Sequence, residues 1–172
     1  MVKPVYGQEG NGIVVVPKAA FDFGMLDLSQ APFFAQEFVD SSAGIAGVVE
    51  GLHDLRLYVF NGKVKMAEVR RPKQGSFLAN IAQGGNLFQV KLEDVPQSAL
   101  DCAARIDTTF TAYSPRIYTV DLMYCGKKPY LVELNSQPGV PWREWEQYDN
   151  YYTKLHGFVI DALLSKSDVN QA

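Results

Sequence analysis

Between Tyr118 and Gly139 the chain reads YTVDLMYCGKKPYLVELNSQPG, two apolar runs joined by the tight turn Cys125-Gly126-Lys127-Lys128. Asp121 interrupts the first run, and Glu133 and Asn135 interrupt the second. Side chains two apart on a strand share a face, so Glu133 and Asn135 project together, and pairing across the hairpin brings Asp121 alongside them. Val120, Leu122, Leu131, Val132 and Leu134 are too apolar for a strand pair open to water on one side. A buried carboxylate needs a partner. Two carboxylates and an amide suit Mg2+, which takes few protein oxygens and fills its other positions with water and phosphate. The competing reading is a solvated sheet face with alternating polar residues.

The remaining composition excludes more than it assigns. A net charge of -3 leaves no basic footprint for nucleic acid. Two cysteines, Cys102 and Cys125, suggest no disulfide framework and fit a reducing cytoplasm. No run approaches the length of a membrane span. A length of 172 residues suits one domain, or one and a fraction. The chain enters at once into a strand-like run and a glycine loop, so a fragment whose N-terminal part is missing is expected.

Gly7, Gly10 and Gly12 fall in a polar loop between the strand-like Val2 to Val5 and the β-branched run Ile13 to Val16. Glycines let backbone N–H groups approach an anion, and Lys3 stands on the strand that feeds them; a plain hairpin turn is the alternative. Residues 18–32 read as a short helix or irregular link, and Phe33 to Val39 as an apolar strand. From His53 to Val69 the pattern alternates, with Leu55, Leu57 and Val59 on one face and Asp54, Arg56 and Tyr58 on the other. Asn61-Gly62 marks the hairpin turn, and His53 reads as structural or surface. Arg70 and Arg71 end the return strand in a basic loop that runs on to Asn80 and Gly84-Gly85. Leu92 to Phe110 and Glu144 to Leu164 have helical spacing.

In this order the chain resembles the ATP-grasp superfamily of carboxylate–amine and carboxylate–thiol ligases, and within it the glutamate ligases and glutathione synthetases. The resemblance runs from Val2 to about Leu164 and rests on VELNSQPG at 132–139, on NIAQGG at 80–85 with Arg70-Arg71 before it, and on the opening VKP with its glycine loop. It implies an α+β fold, a mainly antiparallel sheet with flanking helices. Residues 1–45 would be the remnant of a nucleotide-binding subdomain with its glycine loop and hinge strand, 46–166 the C-terminal subdomain, and 167–172 a tail.

The resemblance also implies roles. Lys3 would touch the nucleotide phosphates and Gly7, Gly10 and Gly12 would close over them. Glu37 and Phe38 would offer backbone to the adenine edge, and Asp54 would be an acidic position associated with the nucleotide. Arg70 or Arg71 would face the phosphates or the acyl phosphate, with Asn80 near the γ-phosphate. Asp121, Glu133 and Asn135 would hold two Mg2+ ions, or Mn2+ in their place. The implied partners are ATP, a carboxylate substrate and an amine or thiol acceptor, with no nucleic acid and no membrane. A missing half would leave an apolar face that invites a homodimer.

One departure bears on function: many relatives carry an arginine two residues before the loop asparagine, and here that position is Leu78. A module that binds nucleotide without turnover is therefore the alternative to a ligase.

Overall fold

The computed structural model describes residues 1–6, 10–79, 84–137 and 143–165. Two antiparallel sheets carry the chain. Strands β1 (Val2–Pro4) and β2 (Phe33–Ala35) form the small one, with Lys3 opposite Phe34. The larger has the order β5-β4-β3-β6-β7, built from β3 (Asp54–Phe60), β4 (Lys63–Arg71), β5 (Asn86–Val90), β6 (Ile117–Cys125) and β7 (Lys128–Asn135). Helices α1 (Gln97–Asp107) and α2 (Tyr148–Leu164) contribute to the two packed cores.

Period-two alternation divides the large sheet into unlike faces. Leu55, Leu57 and Val59 of β3 join Val120 and Leu122 of β6 and Ala99 and Ala103 of α1 in the main apolar core. The other face carries Tyr58, Phe60 and Met66, which pack with Tyr151 and Ala162 of α2. His53 is buried just before the central strand β3, where Tyr124 N–H donates to its Nε2 and its Nδ1 donates to Gly51 O. Burial lowers its pKa, so it stays neutral and structural.

Several elements are shorter than their periodicity predicts. Pairing of β2 ends after Ala35, and Gln36 exchanges its backbone bonds with Met1, so Glu37 and Phe38 lie beyond the ladder. Ile13 to Val16 contributes one bridge, Val14 to Val2, rather than a strand. Residues 18–30 hold three short 3-10 turns, and Asp22 and Asp27 cap the second and third by accepting from Gly24 and Ser29 N–H. The expected helix from Leu92 is split because Pro96 forces Val95 into the extended region (φ -70, ψ 127), and α1 begins only after it. At its far end Thr108 and Thr109 back-bond to Arg105 O and Ile106 O in a 3-10 turn. The last helix starts at Tyr148, not Glu144, because Trp145 turns in against Tyr151 with ring centroids 5.6 Å apart. Among the described residues, no helix is long and apolar enough to cross a membrane.

Candidate active site

Turn chemistry and two bulges set the site. Asn61 (φ 46) and Gly62 (φ 81) both adopt positive φ, as a type I′ hairpin requires. Pairing then runs Val59 to Val64 but Tyr58 to Met66, which leaves Lys65 as an extra residue and puts Glu68 opposite Arg56 and Arg70 opposite Asp54. A second bulge follows the β6–β7 turn: Leu122 pairs with Leu131 and Asp121 with Glu133, so Val132 is unpaired. Without it Asp121 would face Val132, and Glu133 would fall on the opposite face.

The result is a charged layer on one face of an otherwise apolar sheet. Asp54, Arg56, Glu68, Arg70 and Asp121 are each at most 7% exposed. Asp121 Oδ1 accepts from Arg56 Nε at 2.8 Å, and its Oδ2 accepts from Arg56 Nη2 and Arg70 Nη2, both at 2.7 Å. Arg70 Nη2 also donates to Asp54 Oδ2 at 2.6 Å. Burial alone would push the Asp121 carboxyl up, but the hydrogen bonds and charges of Arg56 and Arg70 outweigh it and hold the group below the usual carboxylate range. Asp54 goes the other way: burial dominates, Arg70 offsets part of it, and its pKa is raised. Tyr58 Oη donates to Glu68 Oε1 at 3.1 Å and is itself hydrogen-bonded to Tyr151 Oη of α2.

At the edge of this layer the site opens. The Glu133 side chain is 54% exposed, its Oε1 accepts from Asn135 Nδ2 at 2.7 Å, and Arg56 Nη2 lies 3.9 Å away. Lys3, half-buried on the small sheet, has its pKa lowered by burial and raised in part by the charge of Glu133, which places the two within electrostatic reach. Gly10 (φ 77) and Gly12 (φ 72) hold left-handed conformations, and a Cβ at Gly12 would meet Gln30 Oε1 and, at 2.9 Å, Pro4 Cγ. Gly7 and Asn80 lie outside the described residues.

At the open edge Glu133 and Asn135 offer oxygens of the kind a hard divalent cation takes, while Asp121 lies behind them, fully buried with both oxygens bonded to Arg56 and Arg70. Asp121 is held ionised and its Oδ1 accepts one hydrogen bond from Arg56. Asn135 donates through Nδ2 to Glu133, so its amide oxygen is the atom turned to other uses. Among the described residues no group of three His, Cys, Asp or Glu side chains is arranged for a metal, as expected when the third donor is an amide.

Not every candidate joins this layer. Arg70 and Arg71 are adjacent on β4, so alternation sends Arg70 into the charged layer and Arg71 to the opposite face, where it lines an open groove of about 560 Å³ with residues 45–50. Phe38 packs edge-on against Phe77 at 5.6 Å, tying the segment after β2 to the loop after β4, while Glu37 is exposed. Arg56, Glu68 and Tyr151 were not singled out from the sequence. The signal for Arg56 was present in the D-x-R-x-Y alternation, whereas Glu68 enters this face only through the bulge at Lys65.

A family model described as the RimK-like ATP-grasp domain matches residues 1–155. The chain belongs to the RimK-like ATP-grasp family. Similar curated proteins include a probable alpha-L-glutamate ligase of Legionella pneumophila (strain Corby), 28% identical over 81% of this chain and 43% of that protein. One of the same description from Thioalkalivibrio sulfidiphilus is 31% identical over 81% of this chain and 43% of its own length. A third, from Hydrogenovibrio crunogenus, is 25% identical over 92% of this chain and 49% of its length. The chain thus spans somewhat less than half of these relatives. Among solved structures, a D-alanine–D-alanine ligase from Bacillus anthracis complexed with ATP aligns with a TM-score of 0.45 and 17% identity, over 65% of this chain and 38% of that one. The α+β architecture, mainly antiparallel with flanking helices, is that of an ATP-grasp domain.

Proposed function

We propose that this chain is the nucleotide-binding part of an ATP-dependent carboxylate–amine ligase that works through an acyl phosphate, with glutamate as the amino acid it handles. The observation that carries the reading is the row of Asp121, Glu133 and Asn135 on one face, with Lys3 within electrostatic reach, in a chain of RimK-like ATP-grasp type. The glutamate assignment is supported by the names of the similar proteins.

In this reading Lys3 and Arg70 hold the phosphates of ATP. Gly7, Gly10 and Gly12 form the loop that closes over them and excludes water. Glu37 and Phe38 offer backbone groups to the adenine, Asp54 fixes the Arg70 guanidinium, and Asn80 lies near the γ-phosphate. Asp121, Glu133 and Asn135 would hold Mg2+, or Mn2+ in its place, which when bound would supply charge neutralisation at the phosphates. The γ-phosphoryl passes to the substrate carboxylate, giving ADP and an acyl phosphate. The acceptor amine attacks the acyl carbon, loses a proton and expels phosphate, leaving an amide. Residues 1–45 cover the nucleotide and 46–166 form its floor. Arg71 faces away and takes no part.

Thermal or urea unfolding with ATP and Mg2+ tests the reading. At a hundred times Kd the ligand should add about 2.7 kcal/mol, and Glu133→Ala should lose that gain while keeping the fold. No stabilisation of the wild-type protein would sink it. Leu78, whose N–H donates to Ser76 Oγ at 3.0 Å, favours a second reading in which nucleotide binds without turnover. That reading expects stabilisation by ATP but no acceptor-dependent ADP release.

A further inference from the structure

Among the described residues the large sheet has two open edges, and only one is guarded. β7 pairs with β6 alone, and β5 with β4 alone. An open edge offers unpaired N–H and C=O groups to any other strand, and charges, proline and bulges are what discourage such pairing. β7 carries all three: Lys128 and Glu133, Pro129, and the bulge at Val132. β5, Asn86-Leu87-Phe88-Gln89-Val90, carries none of them, and its register with β4 runs without a shift. Outside that ladder its backbone bonds to no other main-chain group among the described residues. Phe88, at the middle of the strand, is 49% exposed and borders the groove that Arg71 lines.

We propose that β5 is an interface strand through which two copies of this chain join their sheets, antiparallel and two-fold about Gln89. Residues opposite each other in an antiparallel pair share a face. About Gln89, Phe88 of each copy therefore stands opposite Val90 of the other, an aromatic and β-branched pair made twice. The two Gln89 amides meet, and each carries a donor and an acceptor. Lys91, the first charged residue beyond the strand, falls opposite Leu87, so no like charges face each other across the axis. Just past Lys91, Glu93 and Asp94 of the next turn come toward Gly84 of the second copy. Lys73 lies against Gly84, its Cδ 3.4 Å from where a Cβ would stand, so acid approaches base at both ends of the interface. This match of the edge to itself favours a second copy over an unlike strand, for which an uncharged edge offers little to select by. The pairing is independent of nucleotide.

Sedimentation equilibrium of the chain is the test. A small interface predicts a weak dimer, with Kd of about 10–100 μM. Phe88→Lys puts a guarding charge on the edge and should weaken the dimer about ten-fold or more. A monomer at every concentration up to about 1 mM would leave the edge to an unlike strand or to solvent and overturn the proposal. So would a dimer that Phe88→Lys leaves unchanged. Should that variant not fold, disulfide trapping decides, in a Cys125→Ser background that removes the exposed native thiol. Gln89→Cys should cross-link to itself across the axis, where the two Cα atoms stand within disulfide reach, several-fold more than Leu87→Cys does. Equal trapping at the two positions, or none with Gln89→Cys, would overturn the proposal.

Discussion

Replacing Asp121 by alanine tests whether the buried layer is one electrostatic unit. The Asp121 carboxylate is fully buried and accepts three hydrogen bonds of 2.7–2.8 Å from two guanidiniums. Removing one partner of a buried ion pair costs about 3–5 kcal/mol, and two cations lose a partner here, which points to the upper end. Asp54 remains on Arg70 and offsets part of the loss. Ionisation of Glu68 can offset more, but only where it releases its proton, so the cost should be larger at pH 6 than at pH 8. In a domain of this size each kcal/mol moves Tm by about 2–4 °C, so a loss near 4 kcal/mol lowers it by about 8–16 °C. Urea unfolding with a shared m-value is the assay. Glu133→Ala is the control, because an exposed carboxylate contributes about 1 kcal/mol or less. If Asp121→Ala cost no more than Glu133→Ala, the electrostatic account of this face would be wrong.

Three further outcomes follow from the same contacts. Glu68 binds its proton more tightly folded than unfolded, so its contribution to stability is full below the ordinary carboxyl pKa and is lost as pH rises to about 7. That loss is worth roughly 3 kcal/mol; urea midpoints across this range should fall in the wild-type protein and fall less in Glu68→Gln, and equal slopes would count against it. Tyr151→Phe breaks the phenol chain that fastens α2 and should cost about 1 kcal/mol in thermal unfolding, with no change if α2 is held by apolar contacts alone. Gly12→Ala places a Cβ at φ 72 against Gln30 and Pro4 and should destabilise by about 1–2 kcal/mol; a neutral effect in the same assay would show that the loop rearranges freely.

The faces of the large sheet were readable from alternation: Leu55, Leu57 and Val59 do face away from Asp54, Arg56 and Tyr58. The hairpins were readable from Asn61-Gly62 and from Gly126, which supplies φ 60 at its turn. What the residues did not announce is the pair of bulges. A regular ladder from either turn puts Glu68 in the apolar core and Glu133 away from Asp121, and only the extra residues Lys65 and Val132 reverse this. Nor does alternation say that a charged face is buried. That depends on α2, whose Tyr151 is distant in sequence, and on arginine pairing across three strands. The same alternation separates Arg70 from Arg71, which sequence adjacency had joined.

Metal-bound nucleotide at the open edge of β7 is the centre of the proposed function. The most direct measurement is a crystal structure grown with a non-hydrolysable ATP analogue and Mn2+, with anomalous scattering used to place the metal. An anomalous peak at about 2.0–2.3 Å from side-chain oxygens of Glu133 and Asn135, with phosphates reaching toward Lys3 and Arg70, is the predicted result. An ordered nucleotide with its metal elsewhere, or a metal on Glu133 without phosphates nearby, would contradict it.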